Sequence, residues 1–108
     1  MTVDLKIRKV EGDEAEFNNQ LNTMRTQIDL IDDQIMDMLG KRMKIVDGIG
    51  ALKKKNNVAI LQVKRWNEVL GRMILEGEQN KLREEFVLKI YKAIHQESIN
   101  HQKKVINE

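Results

Sequence analysis

The sequence predicts an all-α protein that consists of one long helix followed by two shorter helices. The chain contains no proline, so no residue forbids long uninterrupted helices. Apolar residues recur at alternating spacings of four and three from Phe17 to about Leu52, as on a helix face buried against other helices. Two later stretches repeat this helical spacing. A length of 108 residues is typical of one domain.

The first residues do not join the helical pattern. Apolar and charged residues alternate from Val3 to Ile7, which indicates a short strand or an extended linker. Asp13 is a plausible N-cap for the helix that follows. We therefore expect a tail or linker remnant over residues 1–13 and a helical domain over residues 14–108.

One charged residue interrupts the apolar face of the first helix. An unpaired guanidinium is expensive to bury, and the neighbours of Arg42 one turn away offer no carboxylate. Either Arg42 pairs with a group elsewhere in the fold, or a ligand supplies the missing charge. The face has eleven positions, of which all but Arg42 are apolar: Phe17, Leu21, Met24, Ile28, Ile31, Ile35, Met38, Arg42, Ile45, Ile49 and Leu52.

Three glycines lie within the first helix, and each costs roughly 1 kcal/mol relative to alanine. Such glycines permit close approach of another backbone or a ligand, although a bend is also possible. The helix should end at Lys53–Lys55, with Asn56 and Asn57 breaking it. The glycines are Gly40, Gly48 and Gly50.

The second helix is expected from near Gln62 to Gly77, and the third from near Asn80, a possible cap, to about Val105. Polar residues also interrupt the apolar stripe of the third helix. Ser98 and Gln102 follow Ile94 at one-turn spacings on the same face.

The length of the first helix bears on assembly. About 40 helical residues would extend ~60 Å, which two short helices of one small domain cannot cover. Either the helix breaks at its glycines, or a second chain covers the remainder. We favour a homodimer, because two-fold assembly is the commonest solution.

Composition excludes several classes of function. Nineteen basic and 17 acidic residues nearly balance, which argues against nucleic acid as a partner. The absence of cysteine excludes disulfides and thiolate metal sites, and two histidines are too few for a convincing metal cluster. The sequence has no signal peptide and no apolar run near the ~20 residues that span a bilayer. We expect a soluble cytoplasmic protein.

The polar interruptions have individual and collective interpretations. Taken singly, Ser98 and Gln102 are most simply solvated groups near a helix end, and Lys53 belongs to a solvated lysine run. His95 and His101 are expected to face solvent or pack rather than to bind metal. Taken together, Arg42, Ser98 and Gln102 would face a common interior, flanked by Lys53 and Arg65. Such a cationic pocket suits a small dianion.

These positions resemble the all-helical chorismate mutases over roughly Leu21 to Lys103. Five spaced motifs match without a gap, which makes the resemblance specific. They are the segment Leu21 to Asp32, the pair Lys41-Arg42, the segment Ile49 to Lys53, the segment Val63 to Arg65, and Glu97-Ser98 with Gln102.

The resemblance implies an interlocked homodimer that converts chorismate to prephenate without a cofactor or a metal. It also implies roles for individual residues. Arg42 and Arg25 would bind the two carboxylates, with Arg25 supplied by the partner subunit. Lys53 and Gln102 would contact the ether oxygen whose bond breaks. Arg65 and Ser98 would complete the pocket.

The sequence departs from the family pattern at two further pocket positions. Gln62 stands where an acidic residue is usual, and Trp66 stands where a glutamate ordinarily contacts the ring hydroxyl of the substrate. These departures keep isochorismate pyruvate-lyase activity open as an alternative. A non-catalytic helical module for dimerisation or prephenate sensing is the third possibility. Because some such mutases are fused to a 3-deoxy-arabino-heptulosonate 7-phosphate (DAHP) synthase, the sequence also suggests that synthase as a fused or associated partner.

Overall fold

A computed structural model of the chain describes residues 11–108. Three helices account for nearly all of this part: α1 (Glu11–Asn56), α2 (Val63–Gln79) and α3 (Glu84–Ile106). No strand occurs within residues 11–108. The predicted all-α class and the order of one long and two shorter helices are confirmed.

The start of α1 differs from the prediction. The strand or linker expected over residues 1–13 lies mostly outside the described residues, but residues 11–13 already belong to α1. Asp13 is therefore not the N-cap. Acidic side chains interact favourably with the helix dipole throughout the first turn, so the pattern of Asp13 and Glu14 does not fix the first helical residue.

The chain divides into two compact units, one ending at Leu39 and one running from Gly40 to Glu108. In its described part, the first unit is the N-terminal portion of α1. The second unit contains the remainder of α1 together with α2 and α3. The buried core lies in this second unit.

The helix α1 ends where the asparagines predict. Asn57 adopts a left-handed conformation with φ of 55°, which asparagine tolerates better than most residues. The N–H of Val58 donates to the carbonyl of Lys53 at 2.9 Å, and the N–H of Asn57 donates to the carbonyl of Lys54 at 3.4 Å. This is the Schellman pattern that closes a helix C-terminus.

The boundary between α2 and α3 was predicted wrongly. The helix α2 continues past Gly77, and Asn80 caps its C-terminus instead of opening α3, which begins four residues later. The left-handed residue of this second Schellman turn is Lys81, with φ of 61°. The N–H of Leu82 donates to the carbonyl of Gly77 at 2.8 Å. A lysine in this conformation gives no sequence signal, which explains the error.

The core joins α2 to α3. Val69 and Met73 of α2 pack with Val87 of α3, and Trp66 and Tyr91 pack against this cluster. Gly77 allows the close approach, because a Cβ there would lie 2.5 Å from a methyl carbon of Val87. Packing, and not helix termination, is therefore the role of this glycine.

The predicted role of glycine in α1 is confirmed at one position. A Cβ on Gly50 would lie 3.1 Å from the Cα of Gln102, so this glycine lets α1 and α3 approach closely. The same Cβ at Gly40 or Gly48 would meet no atom within 4 Å. The helix continues through all three glycines, so it does not break there.

Much of the apolar face of α1 is exposed in the single chain. The exposed fractions of its large side chains run from 40% for Ile49 to 66% for Ile45. A soluble monomer rarely exposes so continuous an apolar stripe. The exposed members of the face are Phe17, Met24, Ile28, Ile31, Ile35, Met38, Ile45, Ile49 and Leu52. In the part of the chain described, no helix has the length and apolar character needed to cross a membrane.

Candidate active site

The second unit contains a cavity of about 430 Å³ that is open to solvent. Residues of all three helices and of the α1–α2 linker line it. Seven of the eight residues predicted for the site line it: Arg42, Lys53, Gln62, Arg65, Trp66, Ser98 and Gln102. Arg25, the eighth, belongs to the unit that ends at Leu39, is exposed, and is not among the lining residues. The remaining lining residues are Val46, Ile49, Ile60, Val69, Tyr91 and His95.

Arg42 finds its partner on α3. Its Nη1 donates a hydrogen bond to Oγ of Ser98 at 2.8 Å, and the Ser98 hydroxyl donates in turn to the carbonyl of Ile94 at 2.8 Å. Both hydrogen-bonding functions of the hydroxyl are thus used within the protein. Because the hydroxyl is neutral, it orients the guanidinium without cancelling its charge.

Lys53 and Gln102 form the second polar pair. The Lys53 ammonium donates to Oε1 of Gln102 at 2.8 Å and to the carbonyl of Ile60 at 2.5 Å. The Gln102 amide nitrogen has only a long contact of 3.4 Å to the carbonyl of Ser98. Partial burial lowers the pKa of Lys53 from its ordinary value. The ammonium is fixed by two acceptors and keeps one N–H for a ligand.

The buried positions of Ser98 and Gln102 decide between two interpretations made from the sequence. Their exposed fractions are 6% and 8%. Neither is therefore a solvated residue near a helix end, which was the simplest interpretation of each residue taken alone. The polar interruptions of the two helices line one cavity, as the collective interpretation expects. Lys53 is half-buried and is therefore not the solvated residue expected from its place in a run of lysines.

The start of α2 supplies Gln62 and Arg65. Gln62 is the N-cap residue, and its carbonyl accepts the backbone N–H of Trp66 at 3.1 Å. This first turn directs Arg65 and Trp66 toward the cavity, where the Arg65 side chain remains exposed. The two departures from the family pattern therefore both lie at the site.

Trp66 stacks on His95. The ring centroids are 3.8 Å apart and the planes differ by 11°. Burial, and secondarily the charge of Arg42, lowers the pKa of His95. His95 packs, as expected, but its place in the cavity lining was missed. The signal was present in the spacing, because Tyr91, His95, Ser98 and Gln102 follow one another at helical intervals on α3.

The electrostatic character of the cavity is uniform. Arg42, Lys53 and Arg65 contribute three cationic groups, and none of the described residues that line the cavity is aspartate or glutamate. No group of acidic and histidine residues suited to a metal ion occurs within residues 11–108. The arrangement favours a small ligand with two anionic groups.

A separate polar cluster outside this cavity also connects α1 to α3. His101 Nδ1 lies 2.7 Å from Oδ1 of Asp47, and its Nε2 lies 3.2 Å from Oε2 of Glu97. The hydrogen bond with Asp47 is the main cause that raises the pKa of His101, and the charges of both carboxylates also contribute. This cluster fixes the register of the two helices that carry Arg42 and Ser98.

Comparisons with known proteins agree with this geometry. The family described as Chorismate mutase type II matches residues 24–103. The chain is 33% identical over 90 residues to a bifunctional chorismate mutase/prephenate dehydratase of Buchnera aphidicola subsp. Schizaphis graminum (strain Sg), covering 83% of this chain and 23% of the relative. The protein of the same name from Buchnera aphidicola subsp. Acyrthosiphon pisum (strain APS) is 32% identical over 91 residues, covering 84% and 24%.

A third relative of that name, from Buchnera aphidicola subsp. Baizongia pistaciae (strain Bp), is 27% identical over 92 residues, or 85% of this chain and 25% of the relative. The chain thus spans about a quarter of the length of these curated relatives. The family match covers well over half of the chain and includes every lining residue named above. The chain belongs to the chorismate mutase type II family.

Proposed function

We propose that this chain rearranges chorismate to prephenate in the cavity of its second unit. The observation that carries the proposal is the lining: three cationic side chains and two buried polar residues face one cavity that no described carboxylate lines. Chorismate is a dicarboxylate, so its charge complements this lining. Family membership supports the same reaction over the lyase and over a non-catalytic module.

The reaction suits a cavity without a nucleophile. Within one molecule, the ether C–O bond breaks while a C–C bond forms, and no proton or leaving group departs. Catalysis can then consist of holding the reactive conformer and stabilising negative charge that develops on the ether oxygen. Neither function needs a cofactor or a metal.

Arg42 is proposed to bind one substrate carboxylate. A guanidinium has five N–H donors in a planar fork, and the bond to Ser98 uses one of them. The others remain for a bidentate contact with a carboxylate. Ser98 acts mainly through Arg42, because its hydroxyl already accepts from that guanidinium and donates its proton to the carbonyl of Ile94. Arg65, at the exposed side of the cavity, completes the carboxylate contacts.

Lys53 and Gln102 are proposed to stabilise the ether oxygen. The ammonium retains one donor after its bonds to Ile60 and Gln102. The amide of Gln102 is oriented by Lys53, so its nitrogen is left to donate to the ligand. Two preorganised donors at the oxygen where charge develops fit electrostatic catalysis.

We further propose that the active form is an interlocked homodimer. The exposed apolar face of α1 supports this, because a second copy would bury side chains that now contact water. Arg25 belongs to the unit that ends at Leu39, whereas every lining residue of the cavity belongs to the second unit. Arg25 of the partner subunit is therefore our candidate for the second substrate carboxylate.

The domain context stays a prediction. The relatives carry the name of a prephenate dehydratase beside the chorismate mutase, whereas the sequence suggested DAHP synthase as a fused or associated partner. The comparisons favour the dehydratase as the enzyme found with such domains. The linker expected at the start of the chain, of which residues 11–13 belong to α1, and the cytoplasmic location likewise remain expectations.

The direct test is to incubate the purified protein with chorismate and to measure prephenate formation. The Arg42→Ala variant should lose turnover, whereas Arg72→Ala should not. Arg72 is a matched control, because it is exposed and pairs with Glu76 one turn away on α2. Formation of salicylate and pyruvate from isochorismate, without prephenate from chorismate, would instead establish the lyase. An inactive protein that still dimerises would favour the non-catalytic module.

A further inference from the structure

The stacked pair of Trp66 and His95 is not explained by carboxylate binding or by stabilisation of the ether oxygen. Both side chains line the cavity, and they contact each other face to face at 3.8 Å. The stack joins α2 to α3 and restricts the imidazole to one plane. An imidazole held in this way presents its ring nitrogens within one plane.

The environment of His95 favours its neutral form. Partial burial and the charge of Arg42 both lower its pKa. Arg65 and Lys53 are the other charged groups of the cavity, and both are cationic. No described residue that lines the cavity is a carboxylate that could stabilise an imidazolium, so the neutral ring is favoured, with one N–H donor and one acceptor nitrogen.

An acceptor is scarce in this cavity. Arginine and lysine side chains only donate hydrogen bonds. The Ser98 hydroxyl already accepts from Arg42, and Oε1 of Gln102 already accepts from Lys53. Each of these two oxygens keeps one lone pair but already accepts a hydrogen bond from a cation, so neither is a free acceptor for a ligand hydroxyl that must donate a hydrogen bond.

We propose that His95 is a specificity-determining residue whose ring nitrogen accepts a hydrogen bond from the ring hydroxyl of the dicarboxylate substrate. The proposal rests on the proposed function, because chorismate carries such a hydroxyl in addition to its two carboxylates. Trp66 is a positioning residue that acts through His95. Cationic groups thus select the charge of the ligand, while His95 selects its hydroxyl.

Two other lining residues contain an acceptor atom, namely Gln62 and Tyr91. His95 is favoured for two reasons. It precedes Ser98 by three residues on α3, which places it on the same face as the partner of Arg42. Its orientation is also fixed by the Trp66 stack, and a preorganised acceptor loses less entropy on binding than a free side chain.

The test compares kcat/KM for chorismate with kcat/KM for an analogue in which hydrogen replaces the ring hydroxyl. Wild-type protein should prefer chorismate by roughly tenfold, which corresponds to the net value of about one hydrogen bond. His95→Phe keeps a flat ring for the stack but has no nitrogen, so this preference should disappear. His95→Gln restores an acceptor and should recover part of it.

Matched variants distinguish a specific role from a structural one. Gln62→Leu and Tyr91→Phe each remove another acceptor and should keep the preference for chorismate. Trp66→Phe should keep most of it, whereas Trp66→Ala should reduce it, because only the former preserves the stack.

Two outcomes would overturn the proposal: an unchanged preference in His95→Phe, whether or not kcat/KM falls equally for both compounds, or no preference in wild-type protein. If wild-type protein rearranged neither compound, the proposed function would fail together with this inference. Rearrangement of both compounds without discrimination would overturn the inference alone.

Discussion

The ammonium of Lys53, in the last turn of α1, donates a hydrogen bond of 2.8 Å to the side-chain carbonyl of Gln102 on α3. The two residues lie 49 positions apart in the chain. The bond fixes which end of the Gln102 amide faces the lysine, so the nitrogen end is left for a ligand. Both donors are thus oriented before any substrate binds.

Preorganised donors act on the transition state more than on binding. Lys53→Ala should lower kcat by about 10²–10³-fold, the range found when one donor to a developing oxyanion is removed. Gln102→Ala should act in the same direction, with KM changed less than kcat in both variants. Lys55→Ala is the matched control, because Lys55 is exposed in the same turn and does not line the cavity.

Steady-state kinetics with chorismate measures both effects. The assigned roles require the loss to lie in kcat. A rise in KM with unchanged kcat in Lys53→Ala would show instead that Lys53 contributes equally to ground-state and transition-state binding.

Arg42 should contribute little to folding although it is half-buried. Its partner in the second unit is the neutral Ser98 hydroxyl, which compensates poorly for desolvation of the charge. Arg42→Ala should therefore leave the free energy of unfolding within about 1 kcal/mol of wild type or raise it slightly. Urea denaturation followed by circular dichroism measures this.

The functional and structural roles of Arg42 can then be separated. Loss of turnover together with unchanged stability is the expected combination. A destabilisation of about 3 kcal/mol or more would show that the guanidinium belongs to a compensated ion pair.

Two glycines of α1 provide a matched pair of substitutions. Gly48→Ala meets no atom within 4 Å, so it should stabilise the helix by about 0.5–1 kcal/mol. Gly50→Ala places a methyl group 3.1 Å from the Cα of Gln102, and that backbone cannot move aside cheaply. This variant should gain no stability and should lower kcat, because displacement of α3 separates Gln102 from Lys53. Equal stabilisation by both substitutions would contradict the close approach.

The helices of this protein could be predicted from the sequence because their signals are local. The spacing of apolar residues defines α1, and Asn57 marks its end. Arg42 indicated the site because its signal is also local: a charged residue inside an apolar stripe can be recognised in the sequence alone. The turn at Lys81 was missed because lysine carries no preference for the left-handed conformation that closes α2.

The site was predicted less completely than the fold. The resemblance supplied the polar residues, seven of which line the cavity. The stack of Trp66 on His95 was missed because it joins different helices, and neither residue type specifies a partner. Sequence spacing places His95 on the same face of α3 as Ser98, but only the tertiary structure shows that Trp66 stacks on it.

The two histidines of α3 should give opposite pH dependences of stability. The pKa of His101 is raised in the folded state, mainly by the hydrogen bond with Asp47. The folded state therefore binds the proton more tightly than the unfolded state. The stabilisation is fully present below the unfolded value of about 6.5 and is lost as pH rises through the folded pKa.

The lowered pKa of His95 acts in the other direction, because its protonation destabilises the fold as pH falls below about 6.5. Urea denaturation at a series of pH values measures the sum. His101→Gln should remove the loss of stability with rising pH and keep the acid-side loss, whereas His95→Phe should do the reverse. A profile unchanged in His101→Gln would show that the contacts with Asp47 and Glu97 are not linked to folding.

Whether Arg25 serves its own subunit or a partner can be decided by mixing two inactive variants. Arg25→Ala and Arg42→Ala should each abolish turnover when pure. In a dimer whose sites combine Arg42 of one subunit with Arg25 of the other, each mixed dimer has one intact site and one site that lacks both arginines. Random reassociation makes half of the dimers mixed, so about a quarter of all sites become intact.

Unfolding and refolding the two variants together should therefore recover about a quarter of wild-type activity, as expected for a two-fold assembly. Mixing Arg42→Ala with Lys53→Ala is the control, because both residues line the same cavity and no mixed dimer can assemble a complete site. Sedimentation would show a dimer in every case. Recovery of activity in the control as well would contradict a site in which Arg42 and Lys53 come from one subunit. If neither mixture recovered activity, Arg25 would belong to the site of its own subunit or to no site.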